Sequence, residues 1–296
     1  MFNRLIGNEK IKQDLQKAIV NHKVSHSYLF AGTEGIGKML FAKEFAKAIL
    51  CEQEQGDKPC GKCKSCLEFE HNNHPDFYHV NVGDEKSIKI ETIRKLQEKV
   101  QELPIVSGRK VYVIENAETM TTEAQNCLLK TIEEPPAFVH IILTTSNENK
   151  ILSTILSRCI KLYFQNIKDD VLKQYLAEQY HITNVSENNI KAYHGSIGKA
   201  LQIENNKESY SSIERVFGQL ENYTLPMAMK ELAVLYKEKD FAEELLDYIN
   251  VIFLGKAKQN AKYIEYIEKV EDVKRKIRGN ANYTMAIDSL LFKIYE

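Results

Sequence analysis

Four short apolar runs most constrain what this chain can fold into. His26–Ala31, Asp76–Val82, Lys110–Glu115 and His140–Thr145 are dense in Tyr, Phe, Val, Ile and Leu, and they alternate with stretches of helical spacing. Met39–Leu50 sets Leu40, Phe41, Phe45, Ala48 and Ile49 at helical intervals. Ile90–Leu103 is amphipathic and stops at Pro104, and Thr122–Glu134 is closed by Pro135 and Pro136. A strand without polar alternation must be covered on both faces, so strands alternating with helices imply a parallel sheet between helical layers. The fold class expected for the first part of the chain is therefore α/β.

From Ile167 onward the strand signal fades. Asp169–Tyr180, Asn188–Tyr193 and Ser196–Glu204 read as three short helices, and the polar stretch Asn205–Ser212 reads as a linker. Ile213–Glu296 keeps helical periodicity, with breaks near Asn222–Pro226, Lys237–Asp240 and Gly279–Asn282. Three parts are expected: an α/β domain over 1–166, a three-helix module over 167–204 and an all-α domain over 205–296.

Composition excludes several function classes. The 296 residues carry 40 Lys+Arg against 41 Asp+Glu, a formal net charge of -1, which argues against nucleic-acid binding by this chain alone through a basic field. Asn205–Glu296 has 14 basic and 15 acidic residues, so the C-terminal part offers no basic footprint either. No apolar run approaches the roughly 20 residues that span a bilayer. The opening residues Met1–Leu15 lack the apolar core of a signal peptide. No membrane association and a reducing, cytoplasmic location are expected, and there clustered cysteines suggest metal before disulfide.

Gly32, Thr33, Glu34, Gly35, Ile36, Gly37 and Lys38 follow an expected strand and open an expected helix. Backbone N–H groups and a lysine in that context can cradle phosphates. The next residue should be Ser or Thr, whose hydroxyl holds Mg²⁺, but Met39 stands there with a thioether. The partner strand of such a loop ends in Asp-Glu, the first holding metal and the second activating water. Here Lys110–Ile114 runs into Glu115 and Asn116; Glu115 could reach a metal, whereas Asn116 cannot take a proton. ATP or ADP binding is expected without efficient hydrolysis, and Mg²⁺ is doubtful. An active ATPase with unusual ligands is the competing reading.

Cys51, Cys60, Cys63 and Cys66 are spaced C-x8-C-x2-C-x2-C, with turn-prone Gln53–Lys58 and Gly61 between them. Four thiolates in a short loop can close a tetrahedral Zn²⁺ site, which is structural because no open position remains. His71 and His74 are nearby alternative ligands. Cys127, on an expected helix, reads as a core residue. Arg158, between Ser157 and Cys159, reads either as a surface arginine at a helix end or as a finger for a neighbouring subunit's nucleotide. Spacing alone does not separate these two.

These residues carry a resemblance. His26–Phe30, Gly32–Lys38, the four cysteines, His74–Asp76, Asn126–Pro136, Leu156–Cys159 and Gly195–Ala200 together resemble the clamp-loader subunits of bacterial DNA polymerase III, an AAA+ family. The likeness covers the α/β region and the module after it, and beyond Asn205 only the architecture. It implies an AAA+ P-loop domain with a zinc module inserted at about 51–66, a helical lid and a C-terminal helical collar. In the gamma/tau motor subunits of this family the loop ends in Lys-Thr or Lys-Ser, the partner strand in Asp-Glu, and an Arg in the lid senses the γ-phosphate. Met39, Glu115–Asn116 and Gly198 stand at those places, and all three departures point to the delta-prime kind, a stator-like subunit. Lys199, beside the sensing position, reads as a surface lysine, and Thr145 or Asn147 lies where a polar sensor follows its strand. Arg158 would then be a finger donated to an adjacent ATPase subunit, placed by Ser157 and Cys159. The implied partners are gamma/tau and delta subunits in a hetero-oligomeric ring, the β sliding clamp, and primed DNA through the complex. A zinc-containing nucleic-acid binder is a further, weaker alternative.

Overall fold

The computed structural model describes every residue except Met1, Asn3, Arg4, Glu54, Gln55, Asp84 and Glu238, and all side chains of the rest except that of Asp240. The turn expected over Gln53–Lys58 and the break expected over Lys237–Asp240 fall partly on residues outside that description. The chain divides into two compact units, Met1–Val171 and Leu172–Glu296.

The first unit runs α1 (Glu9–Val20), β1 (Ser27–Ala31), α2 (Lys38–Leu50), α3 (Lys64–Glu70), β2 (Phe77–Val80), α4 (Ile90–Val100), β3 (Lys110–Ile114), α5 (Thr122–Glu133), β4 (Val139–Thr145), α6 (Ser153–Leu156) and β5 (Ile160–Tyr163). Its five strands form one sheet in the order β2-β3-β4-β1-β5, and every pairing is parallel. Side chains alternate across the sheet, so each strand feeds two cores. Phe30, Val111, Val113 and Ile142 meet Phe41 and Phe45 of α2 and Leu15 of α1 on one face. Leu29, Tyr112, Ile141 and Leu143 meet Ile93 and Leu96 of α4 and Ala124 and Leu128 of α5 on the other. That double burial explains why β1, β3 and β4 read as unbroken apolar runs.

The central register is locked where β1 and β4 begin. His26 Nδ1 lies 2.9 Å from the Val139 carbonyl, and His140 Nδ1 lies 2.9 Å from the Ser25 carbonyl, with the two rings stacked at 5.7 Å. Each imidazole donates across to the other strand's backbone. Burial pushes the His140 pKa down to about 4, so the ring stays neutral.

A second anchor lies beside β2. Fully buried Asp76 accepts the backbone N–H groups of Ile105 (2.7 Å), Val106 (2.8 Å) and Ser107 (3.0 Å), fixing the loop that leads into β3. The Asp76 N–H in turn donates to His74 Nδ1 at 3.1 Å. His74 Nε2 donates to the Ser65 hydroxyl at 2.8 Å, which donates to the Leu50 carbonyl at 2.7 Å. A continuous hydrogen-bonded chain thus runs from the end of α2 to the start of β3.

The second unit is helical throughout. It contains most of α7 (Asp169–Tyr180), then α8 (Glu187–Tyr193), α9 (Ile197–Asn205), α10 (Lys207–Gly218), α11 (Leu225–Glu231), α12 (Ala233–Lys237), α13 (Ala242–Ala257), α14 (Lys262–Arg278) and α15 (Tyr283–Tyr295). Helix α13 is its axis, buried along most of its length and packed by α8, α10 and α14. The stretch Asn205–Ser212, expected as a linker, is instead the end of α9 and the first turns of α10, separated by Asn206 alone. Its Ser and Asn residues are solvent-side helix positions, while Tyr210, Ile213, Val216 and Phe217 form a buried stripe. Among the described residues no helix is long and apolar enough to cross a membrane.

Asp76→Ala would strand three N–H groups in a dry site, and each unsatisfied donor costs about 1–3 kcal/mol. The expected result is a loss of at least about 3 kcal/mol in urea unfolding, with Asp76→Asn retaining part of it because one acceptor oxygen remains.

Candidate functional site

The loop Gly32–Gly37 leaves the C-terminal edge of the sheet between β1 and α2. The Gly32 N–H donates to the Thr145 carbonyl at 3.1 Å, tying the loop to the end of β4. A Cβ at Gly32 would stand 2.9 Å from Phe164 Cβ and 3.0 Å from its carbonyl oxygen, so only glycine lets the loop close onto the chain beyond β5. Gly37 caps α2 with φ 99°, a left-handed conformation that turns the chain sharply into the helix. The free N–H groups of the α2 first turn then line the mouth of the loop.

Lys38 is almost completely buried, and its ammonium donates to the carbonyls of Gly32 (2.7 Å) and Thr33 (2.8 Å). Burial lowers its pKa, and the charges of Glu118, Glu34 and Glu115 oppose that fall. Beside the loop, a cavity of about 410 Å³ is bordered by Gly7, Asn8, Tyr163, Gln165, Asn166 and Ile167. The Thr33 hydroxyl donates to Asn166 Oδ1 at 3.0 Å and so joins loop and cavity.

Two acidic residues follow β3 near the loop, Glu115 and Glu118. Glu115, one residue past β3, accepts from His79 Nε2 of β2 at 2.8 Å. Glu118 is the acid with the largest effect on Lys38. It accepts the backbone N–H of Ser146 at 3.0 Å and also the Ser146 hydroxyl. Burial raises the Glu118 pKa, but the Ser146 hydrogen bonds outweigh it and hold the carboxyl below its ordinary 4.5. Asn116 adopts a left-handed φ of 51°, and its N–H donates to the Thr144 hydroxyl at 3.1 Å. Thr145 is fully buried; its hydroxyl accepts the Asn147 N–H at 3.1 Å. Neither Glu118 nor the cavity residues were found from the sequence. Glu118 lies two residues beyond the Glu115–Asn116 motif, and only the fold brings Ser146 to it.

Arg158 lies elsewhere. It precedes β5, whose Ile160 pairs with Tyr28 near the start of β1, so it sits at the N-terminal edge of the sheet while the loop sits at the C-terminal edge. Roughly 10 Å of paired strand lies between them. Arg158 is partly exposed, pairs with Glu133 at the end of α5 (2.9 Å) and donates to the Thr154 carbonyl (3.0 Å) and the Ser157 hydroxyl (3.3 Å). Cys159 beside it is mostly enclosed, and burial pushes its thiol up to about 12, which makes it inert.

The four cysteines converge. Their sulfurs lie within 4.8 Å of one another, with Cys51 to Cys63 at 4.0 Å and Cys60 to Cys66 at 3.9 Å. Four sulfurs at about 2.3 Å from a central ion would be about 3.8 Å apart. Backbone N–H groups of Cys60, Cys63 and Cys66 point at the sulfurs of Cys51, Cys60 and Cys63 at 3.3–3.4 Å, which favours the thiolate form that a metal needs. Burial opposes ionisation of Cys60, but these and neighbouring N–H groups bring it down to about 6. The donor set fits a tetrahedral soft-metal site. His74 has both ring nitrogens committed to Ser65 and Asp76, and His71 is exposed at the end of α3, so neither joins the cluster. Cys127 packs against the α4/α5 core and donates to Gln97 Oε1 at 3.0 Å.

The profile of a family described as DNA polymerase III, delta subunit, matches residues 7–168, the whole of the sheet domain. The chain belongs to that family. It is similar to the delta' subunit of DNA polymerase III from Bacillus subtilis, 31% identical over 253 residues, covering 82% of this chain and 75% of the relative. It is also similar to the gamma/tau subunit from Mycoplasma pneumoniae, 38% identical over 177 residues, covering 60% of this chain but only 26% of that protein. The tau/gamma subunit of Haemophilus influenzae is 33% identical over 208 residues, and again the chain spans only 30% of it. A crystal structure of a DNA polymerase III gamma subunit-related protein from Thermotoga maritima superposes with a TM-score of 0.52 at 18% identity, covering 97% of this chain and 98% of the other. The fold is of the AAA+ P-loop class, as the resemblance had implied.

Because the folded pKa of Glu118 is depressed, its stabilising contribution is present above the ordinary 4.5 and is lost as pH falls through the folded value. The difference in unfolding free energy between wild type and Glu118→Gln should therefore be level above about pH 5 and close in more acidic buffer. A difference that persists unchanged to pH 2.5–3 would contradict the Ser146 contacts.

Proposed function

We propose that this chain is a delta-prime-type subunit of a bacterial DNA polymerase III clamp loader, helping to load the β sliding clamp onto primed DNA without itself being an efficient ATPase. The observation that carries the reading is the split between shape and chemistry at the phosphate loop. Gly32–Gly37, Lys38 and the α2 N-terminus keep an anion-binding geometry, whereas Met39 and Asn116 remove the metal-holding hydroxyl and the water-activating acid. A nucleoside would lie in the cavity between Gly7 and Asn166, with its phosphates at Lys38.

Arg158 supports the same reading. It stands at the surface on the opposite edge of the sheet, remote from its own loop and held by Glu133 and the Thr154 carbonyl, contacts it would exchange for the nucleotide of an adjacent gamma/tau subunit. In this reading residues 1–166 form the AAA+ domain, 167–204 the lid and 205–296 the collar that packs with gamma/tau and delta subunits in a ring. Cys51, Cys60, Cys63 and Cys66 hold a structural Zn²⁺.

The decisive experiment is Arg158→Ala in a loader reconstituted with gamma/tau and delta subunits. An exposed ion pair contributes at most about 1 kcal/mol, so the variant should fold and assemble normally. Clamp- and DNA-stimulated ATP hydrolysis at the neighbouring site should fall by about 10³. Unchanged hydrolysis would remove the finger role. The other reading, an active ATPase subunit of the gamma/tau kind, is favoured by the retained Lys38; hydrolysis by the isolated chain, abolished by Lys38→Ala, would decide for it.

The metal assignment has its own test. The purified, reduced chain should contain one zinc ion, and Cys60→Ser should lower the occupancy and loosen the 51–66 segment to proteolysis while leaving the phosphate loop folded. Less than one zinc per wild-type chain overturns it.

A further inference from the structure

A phosphate loop recruits Mg²⁺ through hard oxygen ligands: a hydroxyl on the first turn of the helix and a carboxylate at the end of the partner strand. The residues here do not fit that ion, for two independent reasons. Met39 is a thioether, and its side chain packs against the apolar cluster of α1 and α2 rather than serving the loop. Among the described residues Glu115 is the carboxylate directly at the end of β3, and His79 Nε2 holds it at 2.8 Å. His79 belongs to β2, the edge strand on the side of β3 away from β4 and β1, so the contact draws Glu115 away from the loop. Of the other acids near Lys38, Glu34 lies in the loop itself, and Glu118 has Oε1 bound by the backbone N–H and hydroxyl of Ser146 while its Oε2 is buried without a hydrogen-bond partner among the described residues.

The anion-binding parts do not depend on that ion. Lys38, buried and already desolvated, and the N–H groups of the α2 first turn face the loop. We propose that this loop binds its nucleotide without a divalent cation, and that His79 is a positioning residue that holds Glu115 out of the cation's place. This deepens, and rests on, the reading of the loop as a nucleotide site.

The test is titration of the full-length chain with ADP and with ATP, in excess EDTA and in saturating MgCl₂, with bound Mn²⁺ counted by electron paramagnetic resonance. Wild-type affinity should change by no more than about twofold between the two buffers, and Mn²⁺ should not bind with the nucleotide. His79→Phe should release Glu115, and combined with Met39→Thr it should make binding at least about tenfold tighter with Mg²⁺, with one Mn²⁺ bound per nucleotide. His79→Phe alone is informative should the double variant lose stability, because His79 lies partly exposed on an edge strand and its replacement spares the core. A wild-type chain that loses about tenfold or more in EDTA overturns the proposal, as do variants that stay indifferent to the ion. If the wild type binds no nucleotide in either buffer, the nucleotide reading itself falls and takes this inference with it. That result differs from binding with the wrong ion dependence.

Discussion

The parallel pairing of β1 with β4 and β5 is the constraint on which the rest of the first unit depends. Parallel strands all begin at one edge and end at the other, and every connection must cross a face of the sheet. One edge therefore gathers the loop Gly32–Lys38, the ends of β3 and β4, Glu115, Glu118 and Ser146. The opposite edge gathers Arg158, Glu133 and the stacked pair His26–His140. Helices on both faces make the strands apolar throughout, and that same feature makes them readable. The separation of a nucleotide-shaped edge from an arginine-bearing edge follows from strand direction alone, before any side chain is considered.

How much was legible depended on where the energy resides. β1, β3 and β4 are buried on both faces, so their sequences announced them. β5 was missed because Ile160–Tyr163 is a four-residue edge strand with a lysine in it, paired only with β1 and half-exposed. Helix α1 rests on three buried apolar positions, Ile11, Leu15 and Ile19, spaced every four residues among mostly polar ones, too weak a pattern to stand out in the sequence. The supposed linker at Asn205–Ser212 failed for another reason: its polar composition is real, but burial of Tyr210 and Ile213 in the α10–α13 packing overrides local preference. The loop, the four cysteines and Arg158 were visible because each is a local pattern with a chemical reason. Glu118 with Ser146, His79 with Glu115, and the cavity beside Asn166 join residues far apart in the chain, and no local pattern reports them.

The loop and the cysteine cluster illustrate two kinds of persistence. Gly32, Gly37 and Lys38 are held by sterics and backbone geometry: the close approach to Phe164, the left-handed turn, and the two carbonyls that receive the ammonium. Such a shape survives the loss of the groups that make a catalyst, because Met39 finds a place in the core and Asn116 tolerates its left-handed backbone. The cysteines are held by the geometry of their own donors, with backbone N–H groups aimed at sulfur, and need nothing from the loop.

The hydrogen-bonded chain from Leu50 through Ser65, His74 and Asp76 to Ser107 gives the cysteine segment a mechanical role. By position it is an insertion between α2 and β2, and removing an insertion usually costs the host little. Here Ser65 belongs to the helix that follows Cys63, and through His74 it sets the residue from which β2 starts. The edge strand that carries His79 is thus seated on the inserted segment, and deleting the insertion would unseat the strand rather than trim a loop.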